Sequence, residues 1–180
     1  MKSTSHVNKS NGLDAQKVAL LAIVLALRIV LGFIPSLNLG NIIEVGFGFL
    51  GAMLSGILFG PLYGALVSIA SDLITSLTMG SAFFPGFTLS AALGGFIYGW
   101  VLWRKPLNWK RFFVSVLLVS LIVNIGLNSL WIKIMYDKAF AVIMPARIIK
   151  NIISLPVNTI LGTLLFTNPT VKSIIKRFRF

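Results

Sequence analysis

The sequence predicts an all-α integral membrane protein with six transmembrane helices and both termini on the cytoplasmic side. Three observations carry that expectation. The 180 residues are 57% hydrophobic and only 11% charged, with a mean hydropathy of +0.93, whereas soluble domains are about a quarter charged. Six apolar segments, 16–34, 41–59, 61–78, 86–104, 111–135 and 144–167, each approach the roughly 20 residues that cross a bilayer. The basic residues gather in alternate loops, the pattern of cytoplasmic anchoring.

The segments follow one another with clear punctuation. A polar cytoplasmic tail, residues 1–15, holds the lone histidine, His6. It runs into the first apolar stretch without a small-residue cleavage site, so that stretch reads as a retained helix and not a signal peptide. Ile34-Pro35-Ser36 closes helix one, and Gly60-Pro61 divides helix two from helix three. Gly80 with Pro85-Gly86, then Lys105-Pro106-Leu107-Asn108, bracket helix four. Tyr136-Asp137-Lys138, up to Pro145, separates helices five and six. Proline and glycine at these points are turn chemistry. The membrane domain therefore spans 16–168, and residues 169–180 form a basic cytoplasmic tail.

Lys2, Lys9 and Lys17 precede helix one; Arg104, Lys105, Lys110 and Arg111 lie between helices four and five; Lys172, Lys176, Arg177 and Arg179 follow helix six. The loops around 35–40 and 79–85 carry no Lys or Arg. A formal net charge of +12 thus reads as membrane anchoring and not as nucleic-acid binding. Loops 35–40, 79–85 and 136–143 then face outward. The second, Gly80-Ser81-Ala82-Phe83-Phe84-Pro85-Gly86, fits either a lid or an interfacial aromatic belt.

Helical stripes locate the polar residues. Ala15, Ala19, Ala22 and Ala26 share one face of helix one, a small-residue surface that lets another helix approach. Arg28 lies on the opposite face, either buried or snorkelling outward. In helix three, Gly60, Gly64, Ser68 and Asp72 recur four apart, so Asp72 points into the bundle. An acid there calls for a ligand or a cation, Arg28 or Lys150 being the available partners. Glu44, early in helix two, is near enough to the outer interface to be solvated. Helix five aligns Ser120, Asn124, Asn128 and Trp131, while helix six aligns Arg147, Lys150, Asn151, Ser154 and Asn158. Facing each other, these stripes make a polar, partly aromatic cavity. Arg147 and Lys150 offer two cations one turn apart, suited to carboxylates or phosphate; the competing reading is that they anchor helix six. Trp131 and Tyr136 are placed to stack on a flat ring.

Several chemistries are excluded. The chain has no cysteine and no G-x-x-x-x-G-K-[ST] run, which removes thiolate sites and a P-loop ATPase. With no histidine in the membrane, Ser-His and Zn-His catalysis have no basis. No metal or cofactor is implied, and the chain reads as a binding subunit energised from elsewhere.

The stretches VGFGFLGAMLSGILFGPLYGALVSIASDLI (45–74), FFPGFTLSAALGGFIYG (83–99), NSLWIKIMYDKAF (128–140) and PARIIKNIISLP (145–156) resemble the folate-type S component of energy-coupling factor (ECF) vitamin transporters. The likeness covers nearly all of residues 15–165. It implies an S-component bundle in a bacterial cytoplasmic membrane, capture of folate from outside, and docking on a transmembrane coupling protein with two cytosolic ATPases. The alanine face of helix one is similar to the surface such components turn toward that partner. By motif, the family's functional residues fall on Asn128, Trp131, Tyr136, Arg147 and Lys150, with Phe83–Gly86 as a gate. Relatives of this kind often carry a basic residue shortly before the G-F-G-F run, where this chain has Glu44. Folate chemistry suits the residues: Arg147 and Lys150 for the two carboxylates, Trp131, Tyr136 or Phe84 for a ring, Asp72 for the pterin amino group. Asn151 and Arg28 complete the expected substrate set. Two readings compete: the same fold serving pantothenate, a thiamin precursor or biotin, and a small membrane enzyme that grips lipid phosphates with Arg147 and Lys150.

Overall fold

A computed structural model describes residues 14–34, 37–39, 43–79, 83–136 and 140–179. Of the expectations above, those on the tail with His6, on Pro35-Ser36, on Gly80–Ala82, on Asp137-Lys138 and on the Glu44 side chain lie outside the described residues.

The described chain is helical apart from one short hairpin. Helix α1 (Ala15–Phe33) starts where the Asp14 carboxylate accepts from the Ala15 N–H at 2.7 Å, an N-cap interaction. It stops before Pro35, with Ile34 extended at ψ 125°, because proline bars its predecessor from helical geometry. Strands β1 (Leu37–Leu39) and β2 (Ile43–Val45) then pair antiparallel, Asn38 opposite Glu44. This corrects the expected start of helix two at residue 41. The run Ile42-Ile43-Glu44-Val45 is β-branched and follows Gly40-Asn41, a combination that favours a hairpin.

The span Gly48–Met79, α2, is two helices that meet at a kink, where the sequence divides helices two and three. Gly60 takes φ 80°, ψ −172°, Pro61 follows, and a Cβ on Gly64 would lie 3.2 Å from Gly56 Cα, so the two arms fold back against each other. Helix α3 (Pro85–Leu102) ends at Trp103-Arg104, two residues short of expectation. Arg104 adopts φ 53°, and its guanidinium lies 4.4 Å from the centroid of the Trp103 ring. The next membrane segment is composite: α4 (Trp109–Leu118), a π-helical stretch (Val119–Leu127) and α5 (Asn128–Tyr136). Helix α6 (Phe140–Thr167) begins four residues earlier than expected.

Residues 169–178, read from sequence as part of a basic tail, form helix α7 (Pro169–Phe178). Asn168 caps it by accepting from the Thr170 N–H at 3.0 Å. Val171, Ile174, Ile175 and Phe178 share a face at i, i+3, i+4 and i+7; of these Ile175 is fully buried and Val171 packs against the core.

Among the described residues five helical stretches are long and apolar enough to cross a membrane, with the two arms of α2 counted as one. Together they make a multi-pass bundle. Its tightest seam joins α2 to α3. Gly56, Gly60 and Gly64 recur four apart on one helix, Gly95 and Gly99 on the other. A Cβ on Gly56 would sit 2.6 Å from the Gly99 nitrogen, and one on Gly99 2.5 Å from the Pro61 nitrogen. Backbones therefore touch, which is how helices associate where lipid supplies no hydrophobic drive. Below the seam Met53, Ile57, Leu102, Phe112 and Phe166 form the buried centre, with the two phenylalanine rings stacked at 6.1 Å.

Candidate functional site

A cavity of about 300 Å³ opens between α1, both arms of α2, α3, the π-helical stretch and α6. That is the lower end of the usual range for small-molecule sites, about 300–1,000 Å³. Among the described residues its wall carries one cation, Arg28, and one acid, Asp72. Phe49, Phe87 and Tyr98 supply rings, and Ser90, Ser120, Asn124, Asn128 and Asn158 supply hydrogen-bonding groups.

Arg28 reaches this wall because α1 crosses α2 at Gly51, where a Cβ would sit 2.7 Å from that of Arg28. Its Nη1 donates to Ser68 Oγ, which itself donates to the Gly64 carbonyl at 2.7 Å. The arginine is therefore turned into the bundle, and the snorkelling alternative is corrected. Asp72 lies on the same α2 face as Ser68, one turn on, and accepts from Thr88 Oγ1 at 2.7 Å. The opposite face of α1 stays open: Ala15, Ala19, Ala22 and Ala26 are all exposed.

The π-helical stretch is held from behind by α6. Asn151, 8% exposed, accepts through Oδ1 from Ser120 Oγ at 2.7 Å and from Asn124 Nδ2 at 3.2 Å. Its own Nδ2 donates to the Arg147 carbonyl at 2.9 Å. Arg147 Nη1 donates to the Asn124 carbonyl at 2.8 Å. A wide helical turn displaces carbonyls from the ordinary ladder, so an outside donor suits it. Asn151 and Arg147 thus brace the wall and are not part of the lining. On the cavity side, Asn128 Oδ1 and Asn158 Oδ1 are buried with no partner among the described residues. Unpaired buried acceptors cost free energy, and a ligand with N–H donors would satisfy them.

Trp131 stands next to the cavity. Its Nε1–H donates to Ser90 Oγ at 3.0 Å, and its ring lies 5.8 Å from that of Phe84, which in turn meets Phe87 edge-on at 6.0 Å. Gly86 makes this cluster possible, since a Cβ there would fall 2.4 Å from Phe84 Cε1 and 2.6 Å from Trp131 Cδ2. Gly86→Ala is expected to displace the rings at a cost of about 1 kcal/mol. The displacement should appear as a shifted tryptophan emission that a Trp131→Phe background abolishes.

Of the residues expected from sequence, the structure brings Arg28, Asp72 and Asn128 to the cavity wall, with Trp131 and Phe84 just beyond. Arg147, Lys150 and Asn151 are outside the lining, and Tyr136 is exposed at the end of α5. The residues missed are Phe49 on α2 and, on α3, Phe87, Thr88, Ser90 and Tyr98. Phe87, Ser90 with Ala91, Gly94 and Tyr98 recur at i, i+3/i+4, i+7 and i+11, a stripe the sequence displays plainly.

Bundle and cavity define a membrane-embedded receptor for a small polar molecule. The family model for the substrate-specific component of ECF transporters matches residues 16–166, and the chain belongs to that family. It is a transporter's binding subunit and not an enzyme, which removes the lipid-phosphate enzyme reading. A folate transporter of Leuconostoc mesenteroides, FolT, is 33% identical over 98% of both chains. The FolT of Clostridium novyi is 38% identical over 66% of this chain and 70% of its own. Among solved structures, FolT bound with folic acid superposes at a TM-score of 0.75 with 29% identity, over 84% of this chain and 91% of that one. The S component for biotin shares the fold at a TM-score of 0.63 and 20% identity, over 92% and 94%.

Proposed function

We propose that the chain is the folate-binding S component of an ATP-driven ECF importer in a bacterial cytoplasmic membrane. The observation that carries this reading is the match, over 84% of the chain, to a structure holding folic acid. The cavity chemistry suits that ligand. A pterin presents adjacent N–H donors and acceptors; Asp72, Asn128 and Asn158 offer acceptors, and Phe49, Phe87 and Tyr98 offer apolar faces. Arg28 supplies a cation at the same wall, while Phe84 and Trp131 close the side beside the 83–86 segment. Arg147 and Lys150, one turn apart on α6, are the cations for the two glutamate carboxylates, and Tyr136 joins them at the outer mouth. Asn151 acts through Ser120 and Asn124.

The exposed Ala15, Ala19, Ala22 and Ala26 face is the docking surface for a transmembrane coupling protein that brings two cytosolic ATPases. The Lys and Arg distribution supports placing both termini on the cytoplasmic side.

Folic acid titrated into the purified chain, read by tryptophan fluorescence, tests this directly. We expect near-stoichiometric quenching, weakened about 100-fold in the Arg147→Ala/Lys150→Ala double variant, as for truncating two charge-assisted contacts. A folded chain that does not respond to folic acid overturns the substrate assignment.

A further inference from the structure

A second groove, of about 530 Å³, lies between the start of α1 and the end of α7. Three cations enter its wall: Lys17 from α1, with Arg177 and Arg179 from the end of α7. Among the described residues one acid lines it, Asp14, whose carboxylate accepts from the Ala15 N–H, where it offsets the positive end of α1. The groove therefore keeps an excess of positive charge.

Its apolar part is ordered by depth. Along α1 the wall passes from Lys17 to Leu20 to Ile23, each step about 4.5 Å further along the helix. Ile23 is 63% exposed. Phe178 completes the wall, with the Arg177 guanidinium 5.5 Å from its ring centroid. Buried Ile175 and the core-packed Val171 tie α7 to α2 and α6, so the basic end of the helix is fixed across the groove from α1. Charge at the membrane boundary, with an apolar channel running from it into the span, is the profile of an anionic phospholipid. A soluble anion would use the cations and leave Leu20 and Ile23 without a role.

We infer that the α1/α7 groove binds an anionic phospholipid, its phosphate held by Lys17, Arg177 and Arg179 and its acyl chain laid along Leu20 and Ile23. The inference rests on the proposed topology in assigning that lipid to the cytoplasmic leaflet, and the groove borders the proposed docking face of α1 at Ala19. It is independent of the vitamin site, because the two cavities share no lining residue.

The test is native mass spectrometry of the full-length chain in detergent, titrated separately with phosphatidylglycerol and phosphatidylcholine. One phosphatidylglycerol should be retained at least fivefold more tightly than phosphatidylcholine. Arg177→Gln/Arg179→Gln should weaken it about tenfold, since each cation near a lipid surface contributes on the order of 1 kcal/mol. Lys105→Gln/Lys110→Gln removes the same charge elsewhere on that side and should leave retention unchanged. Folic acid quenching, run on every variant, reports folding and the vitamin site independently. Equal retention of the two lipids overturns the inference, as does an equal loss in both double variants. Displacement of phosphatidylglycerol by inorganic phosphate at equal concentration also overturns it, because the groove would then read phosphate alone.

Discussion

Arg28→Met is expected to lower folate affinity by at least about 100-fold and to lower the unfolding temperature as well. The two losses have different origins. Arg28 and Asp72 line the same cavity, where Arg28 donates to Ser68 and Asp72 accepts from Thr88, so without Arg28 the acid loses the counter-charge that shares its wall. Removing a buried, hydrogen-bonded charge that meets an opposite charge on a bound partner costs about 2–5 kcal/mol of affinity. Every tenfold in affinity is about 1.4 kcal/mol, so the middle of that range gives at least 100-fold. Arg28→Met/Asp72→Leu separates stability from recognition. If both residues serve the vitamin, the double variant should regain most of the lost unfolding temperature, because no charge remains at that wall, while folate binding stays absent. Recovery of folate binding in the double variant would make the pair structural and move recognition to the carboxamides.

Arg28 also marks where sequence reasoning stops. Its position on helix one, opposite the alanines, was legible from period alone, and so was the inward direction of Asp72 from Gly60, Gly64 and Ser68. What brings them to one wall is the α1–α2 crossing at Gly51, a contact between segments that no single helix pattern encodes. The spans were legible because apolar length is a strong signal. The hairpin at 37–45 was hidden because Ile42, Ile43 and Val45 are as apolar as a helix start, and hydropathy does not separate strand from helix in a short run. The π-helical stretch was equally hidden. Ser120, Asn124 and Asn128 sit four apart, the ordinary helical stripe, yet the widened turns depend on Arg147 and Asn151 donating and accepting from α6. Those two residues stand out in the sequence as ligand contacts; their hydrogen bonds also brace the wall to which Asn124 and Asn128 belong.

Gly60→Ala is expected to destabilise the bundle by at least about 3 kcal/mol and to abolish folate binding. Two costs combine. At φ 80°, ψ −172° the backbone occupies a region essentially reserved for glycine, and holding another residue there costs about 1–3 kcal/mol. The new Cβ would also lie 2.8 Å from Trp103 Cδ2. Neither strain relaxes by parting the helices, because Gly99 already meets Pro61 and Gly56 meets Gly99 along the same seam. Gly60→Ala/Trp103→Leu removes the steric part and leaves the backbone part, so it should recover some of the unfolding temperature but not all. Gly32→Ala is the control, with no atom within 4 Å of its added Cβ, and it should change stability by less than about 1 kcal/mol. The functional loss follows from the geometry of the bend. The arm before Gly60 brings Phe49 and Ala52 to the cavity, and the arm after it brings Asp72. Straightening or splaying α2 at this one residue separates the cavity's apolar floor from its acid, so thermal unfolding and folic acid quenching should fail together in Gly60→Ala. A variant that kept full folate affinity would mean that the bend serves packing alone.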